Sequence, residues 1–175
     1  MNIKLNEYLD IFDPIKREYF PIRVISFTEK GILAKFLNPK REREIQLYYI
    51  KNYGYKKSFI NNELLENCGF KKENELEYHK ENKIIIECLI GQLKPAPYPF
   101  YLGYESNYFG YKFLNSHSDS VKFKEILLST DIQTSIEDFK SEHSTTTNIE
   151  TLRDFINLSN DEFDEIYLEN FNRKQ

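Results

Sequence analysis

The chain lacks the residues and motifs by which most enzyme sites are recognised. Its 175 residues contain no Trp, one Met, two Cys and three His, and no His has a Cys or another His at metal-ligand spacing. The phosphate-loop, dinucleotide-binding and zinc-peptidase motifs are all missing. We therefore predict a binding protein and not an enzyme, with no catalytic residues, no metal, no cofactor and no small-molecule substrate.

One segment has the residue types of a hydrolytic pair, namely His117, Ser118 and Asp119. Residues 116–120 form a turn by their composition, and no glycine-rich loop that would hold an oxyanion adjoins them. We therefore discount catalysis at this segment.

The small number of cysteines and the short apolar runs indicate the cellular compartment of the protein. Cys68 and Cys88 are expected to be two buried free thiols, since free Cys behaves as a small hydrophobic residue and disulfides are rare in reducing compartments. Nothing at the N-terminus resembles a signal peptide. The longest apolar run, residues 84–90, is interrupted by Glu87 and is too short for a membrane span. These features predict a cytoplasmic protein with no membrane partner.

Charge is distributed unevenly along the chain. Residues 1–57 contain twelve Lys or Arg and seven Asp or Glu, a net charge of +5, whereas residues 131–175 contain four and eleven, a net charge of −7. This asymmetry argues against a uniformly basic nucleic-acid binder, although a local basic patch remains compatible with phosphate contacts. The acidic end suits a basic partner.

The first third of the chain has the two-residue periodicity of β-strands. Apolar residues alternate through residues 19–50, and turn residues interrupt them at 29–31 and 38–40. Together with residues 7–12, this pattern predicts about four short strands, the last over residues 45–50. We predict that residues 1–57 form a small SH3-like β-barrel or a curled meander.

The remainder of the chain predicts an antiparallel sheet with C-terminal helices, which makes the fold class α+β. Asn61 is a candidate N-cap for a helix over residues 62–68, and Ser159 with Glu162 matches the capping-box spacing. This second lobe is predicted to span residues 58–175. Its strands are expected between residues 75 and 128, as a hairpin of 75–79 with 83–90 followed by 100–104, 108–113 and 121–128. Its later helices are expected at 131–142, 148–157 and 160–171.

Residues 95–113, PAPYPFYLGYESNYFGYKF, contain eight aromatic residues. Such density is typical of a small core or of an interface anchor. Phe100, Phe109 and Phe113 are the candidates for core packing. The prolines indicate an exposed loop, so Tyr98, Tyr101 and Tyr104 are candidate partner-binding residues.

Two charged surfaces are further candidates. An acidic helix face would imitate nucleic-acid charge in a basic groove, with an ordinary solvated face as the alternative; its residues are Asp161, Glu162, Asp164 and Glu165. A basic patch would contact nucleic acid, although Glu42 and Glu44 weaken its field and a solvated mixed-charge rim is the alternative. Its residues are Lys40, Arg41, Arg43, Lys56 and Lys57.

Residues 59–72, FINNELLENCGFKK, resemble a block, typically PIPLTEELLLKCGFKK, of small uncharacterised proteins from phages and prophages of Bacteroidota. Residues 158–163 are similar to their LTGEEL-like ending. This chain departs from those proteins at three points. Phe59 stands where they usually have a proline, its aromatic stretch is longer than expected, and it lacks the His-Gln-Leu-Gln sequence expected in the last helix. The resemblance implies a mobile-element origin and a fold with an N-terminal barrel-like stretch, but no activity and no catalytic residues.

Small acidic proteins carried by mobile elements often act by binding host defence machinery. The resemblance therefore leads us to expect a stoichiometric inhibitor of an RNA-guided host nuclease, an anti-CRISPR protein, located in the cytoplasm of an infected or lysogenic bacterium. Its partner would be the effector protein, with or without its guide RNA. The alternatives are a toxin-neutralising immunity protein and a nucleic-acid-binding accessory protein.

Overall fold

The computed structural model describes residues 2–89, 109–129 and 142–173. Within them the chain forms two antiparallel sheets and five helices, which confirms the predicted α+β class. The chain divides into two compact units. Unit 1 comprises Met1–Cys68 and Asn148–Gln175, and unit 2 comprises Gly69–Thr147.

The described strands and helices are numbered in chain order. The strands are β1 (Tyr8–Asp13), β2 (Glu18–Phe27), β3 (Gly31–Leu37), β4 (Lys40–Gln46), β5 (Tyr55–Lys57), β6 (Lys71–Lys72), β7 (Glu77–Lys80), β8 (Lys83–Leu89) and β9 (Phe109–Leu114). The helices are α1 (Leu47–Tyr53), α2 (Asn62–Asn67), α3 (His117–Ser129), α4 (Ile149–Ile156) and α5 (Asn160–Arg173).

The sheet of unit 1 has the strand order β4-β3-β2-β1-β5, and each neighbouring pair is antiparallel. Strands β1 to β4 pair consecutively, as in a β-meander, because short turns connect them. The sheet is open, with β4 and β5 at its edges. Closure into an SH3-like barrel is therefore not observed in this sheet.

The two faces of this sheet are covered by different helices. Leu9 pairs with Ile22, and Ile22 pairs with Phe36, so all three lie on one face. That face carries a hydrophobic core, to which α1 contributes the buried side chain of Ile50. Arg23 and its cross-strand partner Lys35 lie on the opposite face, against which α5 packs.

The prediction of a strand over residues 45–50 is wrong beyond Gln46. Leu47–Tyr53 forms α1, whose Ile50 is buried in the core while Tyr49 packs against it. A short apolar run fits either a strand or a helix by its period alone. Packing of Ile50 onto the sheet selects the helix here.

Unit 2 contains a sheet of strand order β6-β7-β8-β9. The predicted hairpin is confirmed, with β7 and β8 joined by a turn at Glu81 and Asn82. Ile84, Ile85 and Ile86 are all buried, so β8 is covered on both faces. Strand β9 corresponds to the predicted strand over residues 108–113.

The predicted strand over residues 121–128 is wrong, because this segment belongs to α3. The turn expected at residues 116–120 instead begins the helix. Ser116 Oγ accepts a hydrogen bond from the Asp119 amide at 3.2 Å and donates one to Asp119 Oδ2 at 2.7 Å, which satisfies an otherwise unpaired helix N–H. Ser120 and Phe123 are buried, so this side of the helix packs inward.

The division into units differs from the predicted boundary at residue 57, because α2, α4 and α5 all belong to unit 1. Aromatic packing accounts for this return of the chain. The Tyr8 ring on β1 lies 5.6 Å from the ring of Phe163 and 4.6 Å from that of Tyr167, both on α5. The strand predicted at 100–104 and the helix predicted at 131–142 lie outside the described residues.

Three further local predictions agree with the structure. Asn61 Oδ1 accepts a hydrogen bond from the Leu64 amide at 2.9 Å and caps α2. Ser159 and Glu162 form the predicted capping box of α5. Cys68 and Cys88 are buried thiols, as expected.

Candidate functional site

A cavity of about 390 Å³ opens in unit 1. Its volume lies within the range of small-ligand sites. Cationic side chains and aromatic rings both line it: Lys16, Arg41, Arg43, Phe20, Phe36 and Tyr49. Positive charge and ring surfaces are therefore presented to the same space.

Strand register explains how these side chains meet. Phe36 on β3 pairs with Arg41 on β4, and Ala34 pairs with Arg43, so both arginines lie on the core-bearing face of the sheet. Ile45 lies two residues further along β4 on that face and is buried in the core. The arginines lie nearer the β3–β4 turn and are exposed. Along β4 the face thus changes from cationic, at Arg41 and Arg43, to apolar at Ile45.

Two of the three cations, Lys16 and Arg41, lie over aromatic rings. Arg41 Cζ is 5.2 Å from the ring centre of Phe36, and Lys16 Nζ is 5.1 Å from that of Phe20, within the range of cation–π attraction. Both rings are half-buried. The contacts hold the cationic groups close to apolar surface and leave part of that surface accessible.

Tyr49 adds a third half-buried ring and anchors it. Its hydroxyl donates a hydrogen bond to the Phe12 carbonyl oxygen at 3.0 Å. Burial raises the pKa of Tyr49, with a smaller contribution from Asp13. The hydroxyl therefore stays protonated at neutral pH and keeps this hydrogen bond.

Two acidic residues also line the cavity, and the carboxylate of each has a local hydrogen bond. Asp13 Oδ1 accepts from the amides of Ile15 and Lys16, at 2.8 and 3.3 Å. Glu44 Oε1 accepts from the Thr28 hydroxyl at 2.5 Å. Neither carboxylate forms an ion pair with Arg41 or Arg43 in the described part of the chain.

The predicted basic patch is distributed over several environments. Arg41 and Arg43 line the cavity, whereas Lys40 forms an ion pair with Glu165 of α5. Lys56 Nζ lies 4.0 Å from the ring centre of Tyr19. Lys57 Nζ lies 2.8 Å from Glu7 Oε1 and also donates to the Asn2 carbonyl oxygen.

Asp164, one of the predicted partner-binding acids, is buried between α5 and the sheet. Its Oδ1 accepts from the Tyr8 hydroxyl and from Arg23 Nε, both at 2.8 Å. Its Oδ2 lies 3.1 Å from Arg23 Nη2 and 2.9 Å from Lys35 Nζ. The Asp164 side chain is only 3% exposed and that of Arg23 8%, so this carboxylate anchors α5 internally.

The other predicted acids are exposed but have partners within unit 1. Asp161 Oδ1 lies 2.6 Å from Lys35 Nζ, and this hydrogen bond lowers the pKa of Asp161. Glu162 accepts hydrogen bonds from the amide and hydroxyl of Ser159. Glu165 pairs with Lys40. Charges from the two ends of the chain thus offset one another where α5 packs on the sheet.

A second hydroxyl network accompanies the buried carboxylate. The Tyr167 hydroxyl donates to Asp10 Oδ1 at 2.9 Å and also contacts the Ser58 hydroxyl. Burial raises the pKa of Tyr8 and of Tyr167, and the nearby carboxylates Asp164 and Asp10 raise them further. Both phenols therefore remain neutral donors that fix α5 to β1.

Unit 2 contains its own buried carboxylate, Glu77 on β7. Its Oε2 lies 2.5 Å from Lys124 Nζ, and its Oε1 lies 2.8 Å from His79 Nε2 and 3.2 Å from the Ser120 hydroxyl. Burial opposes ionisation, but hydrogen bonds from Lys124, His79 and Asn74 outweigh it and lower the pKa of Glu77 to about 2. The ionised carboxylate joins α3 to the hairpin.

The predicted partner-binding residues Tyr98, Tyr101 and Tyr104 lie outside the described residues, as does Phe100. Phe109 lies in β9 and Phe113 is half-buried there.

Sequence reasoning missed the aromatic half of the cavity, including Phe20, Phe36 and Tyr49. The signal was present in β4, because the alternation Arg41, Arg43, Ile45 places both arginines on the face of a buried residue. The buried pair of Arg23 and Asp164 was also missed. It joins residues that are distant in sequence, and no local pattern marks such a contact.

No helix in residues 2–89, 109–129 or 142–173 is long and apolar enough to cross a membrane. Across the same residues, no three His, Cys, Asp or Glu side chains are grouped as a metal site. Comparison with protein-family models, with curated proteins and with solved structures finds no match to this chain.

Proposed function

We propose that the protein acts by stoichiometric binding and inhibits an RNA-guided host defence nuclease, as an anti-CRISPR protein of a phage or other mobile element. The resemblance of residues 59–72 to a phage-borne block supports the mobile-element origin. The cavity beside Arg41 and Arg43 is the single observation that carries the binding mode. It offers guanidinium groups next to accessible rings, which suits exposed RNA.

The charge distribution favours contact through the basic side of unit 1. In nucleic-acid mimicry, an acidic surface enters a basic groove of the partner. Here Asp164 is buried, and Asp161 and Glu165 already pair with Lys35 and Lys40. Arg41 and Arg43 have no ion-pair partner in the described residues. We therefore propose that guide RNA is contacted at the cavity, with the effector protein as the surrounding partner.

The test is co-purification of the tagged full chain with guide-loaded effectors from Bacteroidota hosts, followed by a target-cleavage assay. The proposal predicts a complex of fixed stoichiometry and loss of cleavage at equimolar protein. A double variant, Arg41→Ala with Arg43→Ala, is expected to lose both. Lys30 is another exposed cation and lies in the β2–β3 turn, so Lys30→Ala should retain both. No complex and no inhibition across the panel would contradict the proposal.

The same cavity supports a second candidate, a nucleic-acid-binding accessory protein that needs no effector. It predicts salt-sensitive retention of free RNA or DNA by the full chain alone. Retention without any effect on cleavage would favour this candidate over the inhibitor.

A further inference from the structure

The cavity in unit 1 combines three properties that limit which class of ligand fits it. About 390 Å³ of space is bounded by buried Ile11 and Ile45, by half-buried rings and by exposed cations. A purely apolar ligand would leave the arginines without a partner, and a bare inorganic anion would leave the ring surface uncovered. The lining is suited to a ligand with both an anionic group and a flat ring.

The balance of charge sets how much negative charge the site takes. Lys16, Arg41 and Arg43 are opposed by Asp13, whereas Glu44 alternates with Arg43 along β4 and its carboxylate accepts from Thr28, so three cations face one carboxylate around the cavity. A long polyanion track would present many cations and few acids. This lining suits a ligand with one or two negative charges.

Guanidinium geometry indicates which anion the site takes. An Arg fork matches the oxygens of a phosphate in a bidentate contact. Arg41 and Arg43 lie at alternate positions of β4 and so project from the same face. Because Arg41 also lies over Phe36, a guanidinium group and an aromatic ring are adjacent at this side of the cavity. Nucleobases stack on both kinds of surface.

We propose that this cavity binds a single nucleotide unit, with its phosphate at Arg41 and Arg43 and its base against Phe36, Phe20 and Tyr49. This inference rests on the proposed function and specifies it, because RNA would be engaged through one nucleotide and not along an extended strand. The nucleotide is either free or part of single-stranded RNA, and the two sources share the same chemistry.

The experiment is a calorimetric titration of the full-length protein with AMP, UMP, adenosine, inorganic phosphate and a five-nucleotide single-stranded RNA. We expect saturable one-to-one binding of AMP or UMP. Adenosine and phosphate should each bind about ten- to a hundredfold more weakly, because each lacks half of the contacts. Amide chemical shifts in β3, β4 and α1 should move with the nucleotide.

Three variants locate the site. Arg41→Ala should weaken nucleotide binding about ten- to a hundredfold, and Phe36→Leu should weaken nucleotide binding more than phosphate binding. Lys30→Ala removes the same charge outside the cavity and should leave the affinity unchanged. Unaltered thermal midpoints would establish that each variant is folded, and Arg41→Lys serves if Arg41→Ala is unstable.

The outcomes separate this inference from the proposed function. If the RNA oligomer binds through Arg41 but nucleotides do not bind at millimolar concentration, the single-nucleotide site is refuted and RNA contact stands. If nucleotides bind but Arg41→Ala changes nothing, the assigned site is refuted. If nucleotides bind in the cavity but no effector is inhibited, the inference holds and the proposed inhibitor fails.

Discussion

Replacing the buried Asp164 should be one of the most destabilising single changes in unit 1. Asp164→Ala removes the acceptor for Tyr8, Arg23 and Lys35 at once. Arg23 would then retain a charge at 8% side-chain exposure, with the exposed Asp161 at 3.8 Å as its nearest acid in the described residues. Removing one partner of a buried ion pair costs about 3–5 kcal/mol. This is a large part of the stability of an ordinary domain.

Two further variants show whether the buried charge is the cause. Asp161→Ala deletes an acid from the same helix and the same network, but its side chain is 82% exposed; solvent therefore replaces its contacts and the change should be small. Combining Arg23→Met with Asp164→Leu removes both buried charges. Much of the stability lost in Asp164→Ala should then return, because no unpaired charge remains buried.

Thiol labelling offers an assay specific to each unit. Cys68 lies in unit 1 and Cys88 in unit 2, and both are buried, so each thiol reacts only after its surroundings open. In Asp164→Ala, Cys68 labelling should accelerate about 10²- to 10⁴-fold, which corresponds to 3–5 kcal/mol at about 1.4 kcal/mol per decade. The reasoning is refuted if Asp164→Ala and Asp161→Ala have the same labelling rate and denaturation midpoint.

Three other properties should follow from the described contacts. The pKa of Glu77 is lowered to about 2, so its ionised form stabilises unit 2 above about pH 4.5. This stabilisation should be lost as the pH falls from about 4.5 to 2. In thermal melts, the midpoint of Glu77→Gln should depend less on pH than that of the native protein. Burial raises the pKa of the Cys88 thiol to about 12, so aromatic disulfide reagents should not modify this thiol at pH 8 until the protein unfolds. A rapid reaction in the folded protein would contradict the buried position of Cys88. Asn61→Ala should cost about 1 kcal/mol in denaturant unfolding by removing the cap on the Leu64 amide, whereas Asn61→Ser should cost less.

Local patterns predicted most of the elements in the described residues. The alternation of residues 19–36, the turn at Glu81 and Asn82, and the caps at Asn61 and Ser159 all correspond to observed elements. These predictions succeeded because each depends on residues that are neighbours in sequence.

The errors arose where long-range packing or an overlooked cap decided the outcome. Leu47–Tyr53 is helical because Ile50 packs on the sheet. The prediction of a strand over residues 121–128 ignored the Ser116 and Asp119 pair, which is a helix start signal at the proper spacing. The return of α5 to the first sheet depends on contacts between residues distant in sequence: the Tyr8 ring packs on Phe163, and Asp164 meets Arg23, 141 residues away.

The candidate site was predicted only in part, for the same reason. Arg41 and Arg43 could be selected from the sequence because they form a local basic cluster. Their aromatic neighbours come from β1, β2, β3 and α1, so the register of four elements was needed to place them. The uneven charge distribution suggested an acidic and a basic surface, each free to bind a partner. In the structure, several of these acidic and basic side chains instead form ion pairs with each other.

The central claim is that RNA is engaged through the two cavity arginines. The most direct measurement is the affinity of the full chain for a fluorescent single-stranded RNA across a series of salt concentrations. Three proteins are compared: the native protein, the double variant Arg41→Ala with Arg43→Ala, and the control Lys30→Ala. Loss of the phosphate contact that the two arginines share should weaken binding and reduce the slope of log K against log salt by about 0.7, while Lys30→Ala leaves the slope unchanged. Equal affinity and equal slope for all three proteins would contradict the claim.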